Sequence, residues 1–386
     1  MIEPVIDSAP QDWEHITLGE LCHRGGGDIQ TGPFGTQLHA ADYVSAGIPV
    51  VMPQSIGDNV ILAGRVARIR PEDADRLQRY QLAPGDVIYS RRGDVGRRAL
   101  VRTEHAGWIC GTGCLRIRPG NAIDARFLSH YLGHPDVRAW IVRHAIGATM
   151  PNLNTQILGA LPVSLPPSCI QGQIASLLEA LDGKIAVNAR CTGTALELLR
   201  AHYSQLSGRA CRPARLGDIA GFRYGKALVE SDRTPGPIPV FGSNGISGWH
   251  DTPLVKGPGI IVGRKGANAG SVSWSPGAFW PIDTAFYVVA TAPEVTLEFL
   301  YFLLRCAGLR GQVGDSAVPG LNRSIALACD ISLPDDAEIA RFTGLARPVL
   351  DMVRHRDAES RVLAELRDTL LPELVSGRLC LGDGAG

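Results

Sequence analysis

The chain is predicted to be an α+β protein in which one globular domain is used twice and each copy is followed by a long helix. Three observations lead there. Five segments recur in the same order, displaced by about half the chain. The stretches holding them are rich in Gly, Pro and β-branched residues, with short apolar runs bounded by turn signals. After each stretch, apolar residues settle into 3–4 spacing over several turns. The length agrees, because 386 residues exceed the roughly 100–200 residues of an ordinary domain.

The repeat is clearest late in each copy. Ala148-Thr149-Met150-Pro151-Asn152-Leu153-Asn154 returns as Ala317-Val318-Pro319-Gly320-Leu321-Asn322, and Val163-Ser164-Leu165-Pro166 returns as Ile331-Ser332-Leu333-Pro334. Further back, Phe127-Leu128 matches Phe299-Leu300, and Val87 to Gly93 matches Ile260 to Gly266. Ile48-Pro49-Val50 matches Ile238-Pro239-Val240. A period near 168 residues is far too long for a solenoid, so a whole domain has been duplicated. Ile260-Ile261-Val262 and Phe286 to Val289 read as short strands. The predicted organisation is a first domain over 1–169, a long helix over 170–207, a second domain over 208–334, a second helix over 335–378, and a flexible tail over 379–386.

In the first helix, Ile174, Leu178, Leu181, Ile185, Ala195, Leu199 and Leu206 form a stripe. Asn188 and Thr192 fall in its middle, where polar groups fix register at some cost in stability. Gly183 and Gly193 weaken the helix by about 1 kcal/mol each relative to Ala, so it needs a partner. Ile339, Phe342, Leu345, Val349, Met352, Leu363, Leu366, Leu370 and Leu374 form a matching stripe. The two helices are therefore expected to pair, with kinks or breaks at Pro348 and Pro372.

Several function classes lose their support. No apolar run reaches the roughly 20 residues that would cross a bilayer, and the acidic start MIEPVIDSAPQDWEH does not read as a signal peptide. The nine cysteines are scattered without metal-ligand spacing, which suits free thiols in a reducing cytoplasm. No phosphate-binding G-x-x-x-x-G-K-[ST] loop, H-E-x-x-H pair or G-x-S-x-G elbow is present. Gly263-Arg264-Lys265-Gly266 follows an apolar strand, but the sequence then resumes strand-like alternation. A nucleotide loop would instead open a helix. No catalytic residue, metal site or cofactor of this chain is expected.

Net charge is zero, from 38 Lys+Arg against 38 Asp+Glu, which by itself argues against a nucleic-acid partner. By region the balance is uneven: 16 basic and 16 acidic residues over 1–169, 3 and 3 over 170–207, 12 and 9 over 208–334, and 7 and 10 over 335–386. Arg91, Arg92, Arg97, Arg98 and Arg102 crowd the glycine loop of the first copy, and Arg264 and Lys265 hold the equivalent loop of the second. Such loops suit phosphate or guanine edges, or are simply solvated turns. Val240 to His250 mixes three glycines with Ser243, Asn244, Trp249 and His250. That segment reads equally as a base-contacting surface and as turn structure. Arg223, Tyr224 and Lys226 upstream are weaker candidates, and Asn268 in the second glycine loop joins the set.

These features together resemble the specificity subunits of type I restriction-modification systems. The marks are Thr31 to Leu38 (TGPFGTQL) with Asp42-Tyr43 and Gly47-Ile48-Pro49, Ile238 to Gly245 (IPVFGSNG), and Gly263 to Gly266 leading to Trp280 to Thr284 (WPIDT). Gln173-Ile174-Ala175 and Leu370 to Gly377 (LLPELVSG) complete them. The resemblance implies two target recognition domains held by an antiparallel coiled coil of the two long helices, with pseudo-twofold symmetry. It implies a non-catalytic DNA-binding subunit that reads a bipartite, asymmetric site in double-stranded DNA. Partner methyltransferase subunits, two of them, would bring S-adenosylmethionine, and restriction-motor subunits would bring ATP and Mg. Stripe residues Leu178, Leu181, Ile185, Leu199, Val349, Leu363, Leu366 and Leu370 would carry the partner contacts. The sequence departs from the pattern twice. Pro348 faces Ala180 in the repeat, and the first copy has Met52-Pro53-Gln54-Ser55 in place of a Gly-Ser-Asn-Gly loop, which implies different half-sites. The alternative from another class is a two-lobed protein-interaction scaffold that binds no nucleic acid.

Overall fold

The computed structural model describes residues 5–6, 9–35, 37–147, 151–207, 211–314 and 319–381. Residues 148–150 and 317–318 of the repeat, 208–210 at the start of the second domain and most of the expected tail lie outside them. The chain forms two compact units, residues 1–185 with 362–386, and residues 186–361. Each unit holds one β-rich lobe and one half of each long helix, so the chain is α+β.

In the first unit, strand Glu14–Thr17 pairs antiparallel with Pro162–Leu165 and joins the two ends of the lobe. Thr17 then caps helix Leu18–Arg24 through a capping box with Glu20, which satisfies two backbone donors that a helix start leaves open. A five-stranded sheet follows in the order Asp28–Thr31, Cys114–Arg118, Val87–Ser90, Arg98–Leu100, Asp58–Asn59. A four-stranded sheet contains Ile48–Val51, with Ile109–Cys110 parallel to it. The core joins Leu18, Leu21, Tyr89, Phe127 and Tyr131 to Leu178 of the first long helix and Leu374 of the second.

The second unit repeats the plan. Arg212–Arg215 pairs with Asp330–Leu333, and the four-stranded sheet runs Ala220–Tyr224, Ala285–Ala290, Gly259–Gly263, Val272–Ser275. Ile238–Gly242 sits beside Trp280–Pro281 in parallel, as Ile48–Val51 does beside its own parallel neighbour. The described parts of the recurring segments therefore occupy equivalent places. Phe127 and Leu128 are fully buried in one lobe, as are Phe299 and Leu300 in the other. Gly263 leads through the loop into a strand, as the alternation required, and opens no helix.

The long helices are Ser168–Ser207 and Asp336–Val375, 40 residues each, about 60 Å at 1.5 Å per residue. Within the first unit, Ile174 and Leu178 share a core with Leu371, Leu374 and Val375. Within the second, Leu199 and Tyr203 share one with Ile339, Phe342, Ala346 and Leu350. Early residues of one helix thus meet late residues of the other, so the two run antiparallel. Asn188 is buried on this seam, and its Nδ2 donates to Glu359 Oε2 at 3.0 Å and to Ser360 Oγ at 3.2 Å. That is the register contact the stripe predicted.

The expected breaks at Pro348 and Pro372 do not occur, since the second helix is continuous through both. A helix-interior proline costs about 3 kcal/mol through a lost hydrogen bond and a clash with the carbonyl four residues back. At Pro348 that residue is Gly344, whose Cβ position has nothing within 4 Å. Buried Phe342, Ala346 and Leu350 on the opposite face anchor the helix on either side. At Pro372, Leu371, Leu374 and Val375 do the same.

Candidate nucleic-acid interface

The recurring Pro-x-Leu-Asn core explains itself in three dimensions. In the first unit, Leu153 N donates to Arg91 O at 2.9 Å and Gly93 N donates to Pro151 O at 3.3 Å. In the second, Leu321 N donates to Arg264 O at 2.8 Å and Gly266 N to Pro319 O at 2.8 Å. Each Pro-x-Leu-Asn segment therefore backs the glycine loop of its own lobe. Leu153 and Leu321 are buried, while Asn154 and Asn322 cap the short helices Thr155–Gly159 and Arg323–Leu327. Gly93 and Gly266 have φ of 72° and 83°, a left-handed backbone that glycine adopts without strain. The basic loops are thus held rigidly on the lobes.

In the second unit the loop stands between two clefts. On one side, a cleft of about 800 Å³ is lined by Tyr224, Arg264, Lys265, Phe286, Asn322 and Arg323, among others. The Arg264 guanidinium lies 4.8 Å from the Tyr224 ring centroid and that of Arg323 lies 5.9 Å from it, so one aromatic ring is flanked by two cations. Arg264 Nη1 also donates to Asp283 O at 3.0 Å. On the other side, a cleft of about 590 Å³ is lined by Asn244 and Asn268 together with Arg200, Arg305 and Arg310. Asn268 Nδ2 donates to Asn244 Oδ1 at 2.9 Å. Among the described residues neither cleft has an Asp or Glu in its lining. Arg223, at the exposed end of strand Ala220–Tyr224, lies next to Tyr224.

Several expected contact residues have other work. Ser243 is buried. Its Oγ donates to Thr284 O and accepts from Lys265 N at 3.2 Å, so it staples the loop from beneath. Trp249 is partly exposed, with the Arg361 guanidinium 5.5 Å over its ring. In the first unit, Arg92 is exposed and Arg97 pairs with Asp94 at 2.8 Å. Arg91 Nε donates to Leu153 O at 2.9 Å and Asn152 Oδ1 at 3.2 Å; burial and the nearby Arg92 hold its pKa below the ordinary arginine value. Arg98 is only 4% exposed. It donates to Ser129 O at 2.7 Å and pairs with Asp58 at 2.8 Å, so it belongs to the interior and not to a DNA-facing loop. Met52-Pro53-Gln54-Ser55 forms a short 3-10 turn over Pro53–Ser55 with Ser55 buried, so this lobe has no protruding counterpart there.

The expected partner-contact stripe is also revised. Leu178 and Leu199 are buried in the chain's own cores, and Leu370 and Val349 pack against them. Leu181, Ile185 and Leu363 are half-buried. Of the set only Leu366 is exposed; Leu345 and Met352 of the second stripe are exposed as well, as are Leu198 and Val362, which lie on neither stripe. The residues missed in the clefts are Arg200, Arg305, Arg310 and Arg323. Arg323 alone had a signal, since it directly follows the recurring Leu-Asn.

Among the described residues no group of His, Cys, Asp and Glu could hold a metal ion, and no helix is long and apolar enough to cross a membrane. All nine cysteines are free. Burial pushes the Cys110 thiol up to about 12 and holds Cys114 well above the ordinary thiol value, which leaves both poor nucleophiles.

A family model for the "Type I restriction modification DNA specificity domain" matches residues 10–193. The EcoprrI specificity subunit of a type I restriction enzyme from Escherichia coli is 22% identical over 260 residues, covering 61% of this chain and 63% of that protein. A protein from Methanocaldococcus jannaschii with the MjaX specificity-subunit designation is 24% identical over 187 residues, covering 47% and 42%. The matched stretches therefore span less than two thirds of either relative. The crystal structure of a type I restriction-modification S subunit from M. genitalium superposes with a TM-score of 0.59 at 16% identity, covering 94% of this chain and 96% of that one. That likeness supports the fold: two β-rich lobes and an antiparallel pair of long helices. The fold is a duplicated one, and its first copy is the part that the DNA specificity domain model matches. Residues 10–193, the first lobe and the first part of the first long helix, are thus similar to the DNA specificity domain of type I restriction-modification systems.

Proposed function

We propose that this chain is the non-catalytic subunit that reads a bipartite, asymmetric site in double-stranded DNA, one half per lobe. The observation that carries this reading is the second glycine loop, a rigid ridge between two clefts lined by basic residues and, among the described residues, by no acidic ones. A ridge of that kind suits a groove of the duplex, with cations in the flanking clefts on the phosphates and polar side chains on base edges. Asn244 and Asn268 supply carboxamides that pair with adenine edges. Tyr224, Arg223, Arg264 and Lys265 supply backbone contacts, and Arg91, Arg92 and Arg97 are the first lobe's contact residues for its half-site. Trp249, on strand Gly245–His250, supplies a ring for stacking.

On this reading the long helices leave the bases between the half-sites unread and dock two methyltransferase subunits through their exposed apolar residues. Restriction-motor subunits join that complex. S-adenosylmethionine, ATP and Mg belong to those partners, and the work is cytoplasmic. Adenine methylation needs the base to leave the stack, so this chain holds the duplex while its partners distort it. Producing the chain with the methyltransferase encoded beside it, and sequencing methylated adenines in the host DNA, tests the reading. One bipartite motif is expected. Adenine methylation that is absent, or independent of this chain, would favour the protein-interaction scaffold instead.

A further inference from the structure

The two lobes share a plan but not a charge arrangement. In the first unit most arginines near the sheets are neutralised within the lobe. Arg97 pairs with Asp94, Arg98 with Asp58, Arg102 with Glu179, Arg116 with Asp28, Arg118 with Asp86, and Arg126 with Asp124, all between 2.5 and 3.1 Å. In the second unit Arg264, Lys265, Arg305, Arg310 and Arg323 have no carboxylate partner among the described residues, and all five line the two clefts.

The strand registers show what stands at the equivalent positions. Val87 and Ile260 are repeat equivalents that face Ile117 and Val288, which in turn face Ile29 and Phe222. Two residues further along, Thr31 of the first lobe occupies the place of Tyr224 in the second. Likewise Asn154 and Asn322 are equivalent helix caps, so Thr155 occupies the place of Arg323. Where the second lobe sets two guanidinium groups against an aromatic ring, the first lobe has Arg91 with Thr31 and Thr155 at the corresponding positions.

We propose that the second lobe is the phosphate anchor of this protein. The flanked Tyr224 ring and Lys265 form a binding site for the DNA phosphodiester backbone that the first lobe lacks. The first lobe engages its half-site with little net charge transfer. This inference rests on the DNA-reading function proposed above.

Matched double substitutions in the full-length chain test it. Lys265→Gln/Arg323→Gln removes two exposed cations with no side-chain hydrogen bond among the described residues, so the fold should be kept. Arg92→Gln/Arg97→Gln removes two from the first lobe. Binding to a random-sequence duplex is followed by fluorescence anisotropy across a potassium chloride series, with circular dichroism as the check on folding. Each phosphate contact contributes about 0.9 to the slope of log K against log salt, so the second-lobe pair should lower it by roughly 1.8 and the first-lobe pair by less than about 0.5. Equal losses, or a greater loss in the first lobe, would overturn the anchor proposal while leaving DNA binding intact. Wild-type chain without any salt-dependent binding, alone or with its methyltransferase, would overturn both readings together.

Discussion

Arg367 is the residue whose replacement tests most sharply how the second long helix is fixed to the first lobe. Its side chain is 14% exposed, and it donates to Asp182 Oδ1 at 2.8 Å, to Asp58 Oδ2 at 2.9 Å and to Asp368 Oδ1 at 2.7 Å. Asp58 is also held by Arg98 from the sheet. Burial pushes the Asp58 carboxyl up, but the two guanidinium groups outweigh it and leave the pKa below the usual aspartate value. Arg367→Met keeps the stem and removes the charge, stranding Asp182, whose side chain is 16% exposed. Breaking a fully buried pair costs about 3–5 kcal/mol, whereas the contacts to the more exposed Asp58 and Asp368 are worth at most about 1 kcal/mol each. The expected loss is therefore about 2–3 kcal/mol. Urea unfolding of wild type, Arg367→Met, Asp182→Asn and the double variant measures it, with a coupling of about 1–2 kcal/mol between the two sites. Strict additivity, or a loss below about 0.5 kcal/mol for Arg367→Met, would show that the network does not secure the helix.

Three further outcomes are expected. His130 is 1% exposed, and burial first, with Arg98 and Arg367 adding to it, lowers its pKa to about 4. The unfolded chain takes up that proton near pH 6.5, so stability present above that pH should fall by roughly 3 kcal/mol by about pH 4; His130→Gln should flatten this part of a urea-midpoint profile against pH. Asn322 accepts from Ser324 N at 2.8 Å and Ile325 N at 3.3 Å, so Asn322→Ala should cost about 1 kcal/mol in the same assay. Leu366, 44% exposed on the second long helix, should tolerate Glu with thermal stability unchanged, while co-purification of the methyltransferase subunit weakens.

Much of the architecture was legible because it is written twice. The recurring Ile-Pro-Val, Phe-Leu, Pro-x-Leu-Asn and Ser-Leu-Pro segments mark a parallel strand pair, a buried helix, the backing of the glycine loop and the closing strand. The stripes located both long helices to within a few residues, and Asn188 stood out as the polar register contact. Arg98 was misplaced because strand neighbours point to opposite faces: Arg97 faces solvent and Arg98 the interior. Ser243 looked like a reader because its hydroxyl could serve either role, and only burial decides between them. The Tyr224, Arg264 and Arg323 cluster was out of reach because it joins three segments by strand register and not by sequence spacing. The helix prolines do not break the helix because tertiary packing on both sides outweighs a local penalty.

The central claim, one half-site per lobe, is tested most directly by replacing residues 212–333 with the equivalent lobe of a type I specificity subunit of known target. Adenine methylation is then mapped in cells that also carry the methyltransferase partner. The account predicts that one half of the methylated motif changes to the donor's and the other half stays as it was. An unchanged motif, or the replacement of both halves together, would contradict it.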